Sequence, residues 1–257
     1  MVSAILLESK VLFVFLIIPI FIYKLFVHSV LSDYYLILRN SSNLPDETKV
    51  KFRVAFYKVQ LCTILSFIGI MVLKDEPWLF NFDDYKIVTS HIPTKIKFYY
   101  IFESCYYINE LFTMFVEPKK KDFYQMVLHH LITLLLMKLS FNTRFYKFGA
   151  AIMILHDVSD PFLELAKVEN YLKNVIFPDI IFLMFTCVFF GARLIIFPKF
   201  FIWNIFRNFK SLGASFDLVV IYTLLLSLQV LHILWSVYIF ALLIKLFKGA
   251  PMKDNRE

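Results

Sequence analysis

Charge is scarce in this chain. Only 18% of its 257 residues are Asp, Glu, Lys or Arg, while 60% are hydrophobic and 19% aromatic, 31 of them Phe. Soluble domains run nearer half apolar and a quarter charged. The deficit excludes an ordinary water-soluble domain and makes lipid the main solvent. Cysteine is scarce too. Cys62, Cys105 and Cys187 all fall within apolar runs, and no two stand at metal-ligand spacing, so they read as small buried residues. No cleavable signal is evident: Glu8 and Lys10 precede the apolar run at 11–23, and no small-residue cleavage site follows it. That run reads as a retained first span. Internal repeats, low-complexity tracts and nucleic-acid-binding motifs are also missing. The net charge of +7 therefore points to basic loops facing cytoplasm and anionic lipid.

What is present is a series of long apolar runs. A membrane-spanning helix needs about 20 mainly apolar residues. Such runs lie at roughly 6–28, 53–73, 98–116, 123–141, 146–166, 175–198 and 215–245. The expected fold is an all-α polytopic membrane protein of about seven transmembrane helices. Residues 1–49 form an N-terminal helix and polar loop, 50–247 the main bundle, and 248–257 a short basic polar tail. Lysine and arginine bias sets the orientation. Arg39, Lys49, Lys51, Arg53, Lys119–Lys121, Lys167, Lys173, Lys248, Lys253 and Arg256 fall on one side, and Lys10, Lys74, Lys86, Lys95, Lys97, Arg144, Lys147, Lys199, Arg207 and Lys210 on the other. The bias is modest. It places the C-terminus and the Lys119-Lys120-Lys121 run in the cytosol. The sequon Asn40-Ser41-Ser42 is then cytosolic as well, and a glycan on Asn40 would contradict this topology.

Ionisable residues inside spans are costly and usually functional. The fourth span carries His129-His130, Thr133 and Ser140. At about 100° per residue, His129, Thr133 and Ser140 share a stripe, and His130 points about 100° away. The fifth span reads His156-Asp157-Val158-Ser159-Asp160-Pro161-Phe162-Leu163-Glu164. His156, Asp160, Glu164 and Lys167 share a broad stripe with Asp157 at its edge. Pro161 removes one backbone hydrogen bond, which predicts a kink and a wider cavity there. The third span adds Glu103 and Glu110 on one face.

Depth brings these residues together. His129 lies about 12 Å past Lys121 and Glu110 about 13 Å before Lys119, at 1.5 Å per residue. Asp160 lies about 20 Å from the opposite face of a core about 30 Å thick. All three reach similar depth, which predicts one polar chamber toward the Lys119-Lys120-Lys121 face. Buried packing and metal binding are the competing explanations. Several carboxylates and three histidines at matching depth argue against plain packing. A membrane di-iron oxidase would need several histidine boxes, and the chain has six histidines in all, with His28 and His91 far from the group.

The run from Lys121 to Tyr171 resembles the ceramide synthases, the core of the wider TRAM–LAG1–CLN8 (TLC) domain family. It carries Lys121-Asp122-Phe123, His129-His130, Thr133, Ser140, Arg144, Gly149, His156-Asp157, Ser159-Asp160, Leu163-Glu164, Ala166-Lys167 and Tyr171 in order. The likeness extends upstream through Tyr99-Tyr100 to Glu110 and downstream through Arg193-Leu194-Ile195-Ile196-Phe197-Pro198, covering about residues 50–245. The first span lies outside it, there is no homeobox-like insert, and Pro161 departs from the pattern.

The resemblance implies six helices around a long central cavity, an endoplasmic reticulum membrane, and fatty acyl transfer from acyl-CoA to the amino group of a sphingoid base. It implies acyl-CoA as co-substrate with no separate cofactor or metal, and membrane lipid, not nucleic acid, as surroundings. Homo- or hetero-oligomerisation with other membrane subunits stays open. His129, His130, His156, Asp157 and Asp160 are the candidate catalytic residues. A histidine can take and return a proton near neutral pH, and a carboxylate can orient it. His129 is the favoured base or acyl acceptor, and both direct attack and an acyl-imidazole route stay open. Lys119, Lys120 and Lys121 could hold coenzyme A phosphates or simply anchor the helix end. Glu110, Thr133, Ser140 and Arg193 complete the candidate substrate-binding set. The rival readings are a non-catalytic TLC-domain lipid regulator or sensor, which would be expected to lose the histidine set, and a metal-dependent oxidase.

Overall fold

The computed structural model describes residues 16–85 and 92–248, apart from 118, 144, 175 and 214. The start of the expected first span, with Glu8 and Lys10, lies outside the described residues. So do Lys86, His91, Arg144 and the tail beyond Lys248.

The apolar runs become helices whose ends are marked by polar and proline residues. The first is α1 (Leu16–Leu38), followed by α2 (Asp46–Leu73). Pro45 precedes α2, and Asp46 and Glu47 occupy its first turn, where negative charge suits the helix dipole. After a single turn at Phe82–Tyr85 come α3 (Thr94–Thr113), α4 (Phe123–Asn142), α5 (Tyr146–Asp157) and α6 (Asp160–Tyr171). Two long helices close the bundle, α7 (Phe177–Arg207) and α8 (Phe216–Phe247). Ser215 caps α8 by accepting the Leu218 backbone N–H at 3.2 Å.

The described residues form no strand, and the chain is an all-α polytopic membrane protein. Helices α1, α2, α7 and α8 are each long and apolar enough to cross a membrane. Phe67, Ile195, Trp203 and Val237 stand exposed on their outer sides, as lipid-facing residues should. Helix α6 packs along α2 and α7, and α4 packs on α3, α5 and α8. These inner helices carry most of the buried polar residues, and the spanning helices add Lys24, Arg193 and His232 among others.

The fifth expected span is not one kinked helix. It is two, α5 and α6, separated at Val158 and Ser159. Pro161 sits in the first turn of α6, where a missing N–H deprives the helix of nothing. The break itself would orphan carbonyl groups in lipid, which is costly. Two side chains close it. Ser159 Oγ donates to the His156 carbonyl at 3.1 Å, and Arg193 Nη2 from α7 donates to the same carbonyl at 2.9 Å. Arg193 lies in a π-wound stretch of α7, Phe190–Ile202, a winding often found at functional sites.

Close packing of α5 on α3 and α4 depends on Gly149. The Tyr100 hydroxyl donates to the Tyr146 carbonyl at 2.9 Å and lies 3.0 Å from Ser140 Oγ. A Cβ at position 149 would overlap both hydroxyls. Gly149→Ala is therefore expected to destabilise the protein by about 1–3 kcal/mol through overpacking. A thermal melt in detergent checks this, and an unchanged midpoint would contradict the packing described.

Candidate active site

A cavity of about 230 Å³ opens at the bundle end that holds the α3–α4 loop. Lys58, Glu110, Glu117, Lys120, Glu164 and Lys167 line its outer part, and His129, His130, Asp160, Arg193 and Trp235 line it further in. The outer charges are paired. Lys58 Nζ lies 2.8 Å from Glu110 Oε2, and Lys167 Nζ lies 2.6 Å from Glu164 Oε1. Lys24 of α1 reaches in to lie 2.8 Å from Glu117 and 3.5 Å from Glu110. Of the three adjacent lysines only Lys120 lines the cavity. Lys119 lies over the Phe123 ring at 5.1 Å, and Lys121 is exposed outside the cavity wall.

A second pocket of about 50 Å³ continues toward the opposite end of the bundle. Leu136, Met137, Phe145, Phe148, Leu218 and Leu225 make it apolar, and Thr133, Ser140 and His156 also border it. The side chains of His129 and Tyr107 line both spaces. His129 therefore stands at the waist between a charged mouth and an apolar floor, whereas His130 faces the mouth alone. Thr133 Oγ1 donates to the His129 carbonyl at 2.8 Å and Ser140 Oγ to the Met137 carbonyl at 3.1 Å, so both hydroxyls are already turned to their own helix.

The three histidines of the expected site are not equivalent. His156 Nδ1 lies 2.6 Å from the Ile152 carbonyl. A carbonyl only accepts, so Nδ1 carries the proton. The neutral ring then offers its lone pair at Nε2, and that atom lies 3.0 Å from Nε2 of His232, which must be the donor. Both nitrogens of His156 are engaged, and the residue is a positioning group with no lone pair to offer a substrate. By contrast Nδ1 of His129 and Nδ1 of His130 are buried with no hydrogen-bond partner among the described residues. The His129 ring is held by an edge-on contact with Trp235 at 5.3 Å.

Among the described residues neither Asp157 nor Asp160 is seen hydrogen-bonded to an imidazole. Asp157 accepts from the Tyr99 hydroxyl at 3.0 Å and borders neither pocket. Its carboxyl packs against that of the fully buried Glu103. Asp160 accepts from Arg193 Nη2 at 2.6 Å. The helix break explains both placements: it turns Asp160, Glu164 and Lys167 to the cavity and leaves His156 and Asp157 on the far side of the α5–α6 junction. Three residues escaped the sequence reading. His232 is the one imidazole in the apolar run 216–247, and Lys24 and Lys58 are lysines inside the apolar runs 6–28 and 53–73. Each carried the signal of an ionisable group in a span.

Residues 51–241 match the TLC domain. The chain belongs to the TLC domain family. It is 34% identical over 227 residues to ceramide synthase 5 of Homo sapiens, covering 85% of this chain and 56% of that protein. It is 32% identical over 229 residues to ceramide synthase 4 of Bos taurus, again covering 85% and 56%. It is 30% identical over 215 residues to ceramide synthase LOH2 of Arabidopsis thaliana, covering 78% and 71%. The chain thus spans little more than half the length of the animal relatives it matches. Within the TLC bundle lie His129, His130, His156, Arg193 and His232, while Lys24 falls outside the matched segment.

The engaged state of His156 has a measurable consequence. Leaving one buried partner unsatisfied costs about 1–3 kcal/mol. His156→Phe and His232→Leu should each lower the melting midpoint, and the double variant should lose less than their sum, by about 1 kcal/mol in a double-mutant cycle. Additive losses would contradict the histidine pair.

Proposed function

We propose that this TLC-family chain is a ceramide synthase, transferring a fatty acyl group from acyl-CoA to the amino group of a sphingoid base. The observation that carries the reading is the position of His129, which lines both the charged cavity and the apolar pocket. That arrangement suits a thioester with a polyanionic head and a greasy tail. The head would sit at the mouth near Lys58, Lys120 and Lys167, and the tail would pass His129 toward Leu136, Phe148 and Leu218. The names of the similar proteins point the same way, as does the retention of the histidine set that a non-catalytic relative would be expected to lose.

The reaction forms an amide C–N bond and breaks the thioester C–S bond. The amine gives up a proton, and the departing thiolate takes one. His129 can serve both ends, removing the proton as the amine attacks and returning it to sulfur. In the covalent alternative, His129 attacks the thioester first, coenzyme A leaves, and the amine displaces the imidazole. Arg193, fixed by its Nη2 bonds to α5 and α6, presents positive charge to the same cavity, where it would favour the oxyanion of either route. The thioester itself is the activated group, so the proposal invokes no metal or further cofactor. We place the protein in the endoplasmic reticulum membrane with its C-terminus and cavity mouth in the cytosol, where acyl-CoA is found.

Expression in cells lacking ceramide synthesis, fed labelled sphinganine, tests the reading. Labelled N-acylated product is expected, and His129→Ala should lower its formation by about 10²-fold or more. Absence of product from folded wild-type protein would overturn the assignment. Mass spectrometry after acyl-CoA alone separates the routes: an acylated His129 supports the covalent one, and an unmodified histidine in active protein supports direct attack.

A further inference from the structure

Helix α1 lies outside the TLC match, yet it places a charge at the cavity mouth. Lys24 Nζ lies 2.8 Å from Glu117 Oε1 and 3.5 Å from Glu110 Oε1. Lys58 Nζ lies 2.8 Å from Glu110 Oε2 and 3.7 Å from Glu117 Oε2. Each glutamate thus touches both lysines, and each lysine both glutamates. Lys24 is buried, and so is Glu110. The Lys24 ammonium also lies over the Tyr57 ring at 5.0 Å, and the Tyr57 hydroxyl accepts from Asn109 Nδ2 at 3.3 Å. The lysine is built into its position from two sides.

Two lysines and two glutamates make a neutral quartet. Remove Lys24 and Lys58 alone faces two carboxylates, leaving one net negative charge. Salt screens a buried charge poorly. The neighbouring pairs, Lys167 with Glu164 and Arg193 with Asp160, are matched within themselves, and Lys120 and Asp122, which also line the cavity, carry opposite charges, so the loss of Lys24 still shifts the mouth by one negative charge. We propose that Lys24 is a positioning residue that keeps the cavity mouth neutral and thereby sets its affinity for a phosphate-bearing acyl donor, making α1 part of the binding site. The inference rests on the acyl-CoA reading above. It differs from a packing role in one respect: charge, not shape, is what matters, so neutralising a glutamate must repair the loss of the lysine.

The test measures binding of palmitoyl-CoA thioether, which carries a methylene in place of the thioester carbonyl, to the purified full chain in detergent. Lys24→Met is expected to weaken binding about tenfold, the scale of one unpaired charge about 10 Å from an anion at intermediate dielectric. Lys24→Arg should bind like wild type, and the double variant Lys24→Met with Glu117→Gln should recover to within about twofold. If Lys24→Met does not fold, Glu117→Gln alone leaves the mouth with one net positive charge and should bind more tightly. Unchanged affinity in Lys24→Met, a double variant as weak as the single one, or no tightening in Glu117→Gln would overturn the inference. Wild type that binds the thioether but forms no ceramide overturns the functional reading alone. Wild type that binds no thioether overturns both.

Discussion

One guanidinium nitrogen holds the site together. Arg193 Nη2 donates to the His156 carbonyl at 2.9 Å, to Ser159 Oγ at 3.1 Å and to Asp160 Oδ1 at 2.6 Å. It thereby spans the break between α5 and α6. In water a broken helix can solvate its own ends; in lipid it cannot. The interruption exists because Arg193 and Ser159 supply the donors that the lost helical turn would have supplied. The break in turn lets α5 aim His156 at α8 while α6 aims Asp160, Glu164 and Lys167 at the cavity. A continuous helix would have put all of them on one stripe.

The same constraint separates what was legible in the sequence from what was not. The helices were legible because lipid demands long apolar runs, and α2, α7 and α8 lie close to the runs that announced them. The placement of Glu110, His129 and Asp160 around one cavity also follows from rise per residue and the loop charges, since these are local quantities. The break at Val158 and Ser159 was not legible. Pro161 reads equally well as a kink within a helix or as the start of a new one, and the choice belongs to Arg193, 32 residues away in sequence. His232 was invisible for a related reason. A single histidine in an apolar helix announces a partner without naming it, and His156 sits 76 residues away in sequence.

The charged mouth, the histidine waist and the apolar floor lie along one path through the bundle. Their order matches the proposed acyl donor from head to tail. His156 and His232 fasten α5 to α8, and the same helix α8 brings Trp235 against His129. Trp235 thus packs against the His129 ring, while Nδ1 of His129 has no hydrogen-bond partner among the described residues. The Lys24 quartet extends this order outward, tying a helix beyond the TLC domain to the point where a polyanion would arrive.

The most direct test is a structure of the protein with the thioether analogue of acyl-CoA bound. The sulfur and adjoining methylene should lie within contact of the His129 ring, about 4 Å or less, the phosphates at the lysine-lined mouth, and the acyl chain directed past Tyr107 into the apolar pocket. An analogue whose reactive carbon lies away from His129, or whose chain leaves the bundle without crossing the waist, would contradict this placement.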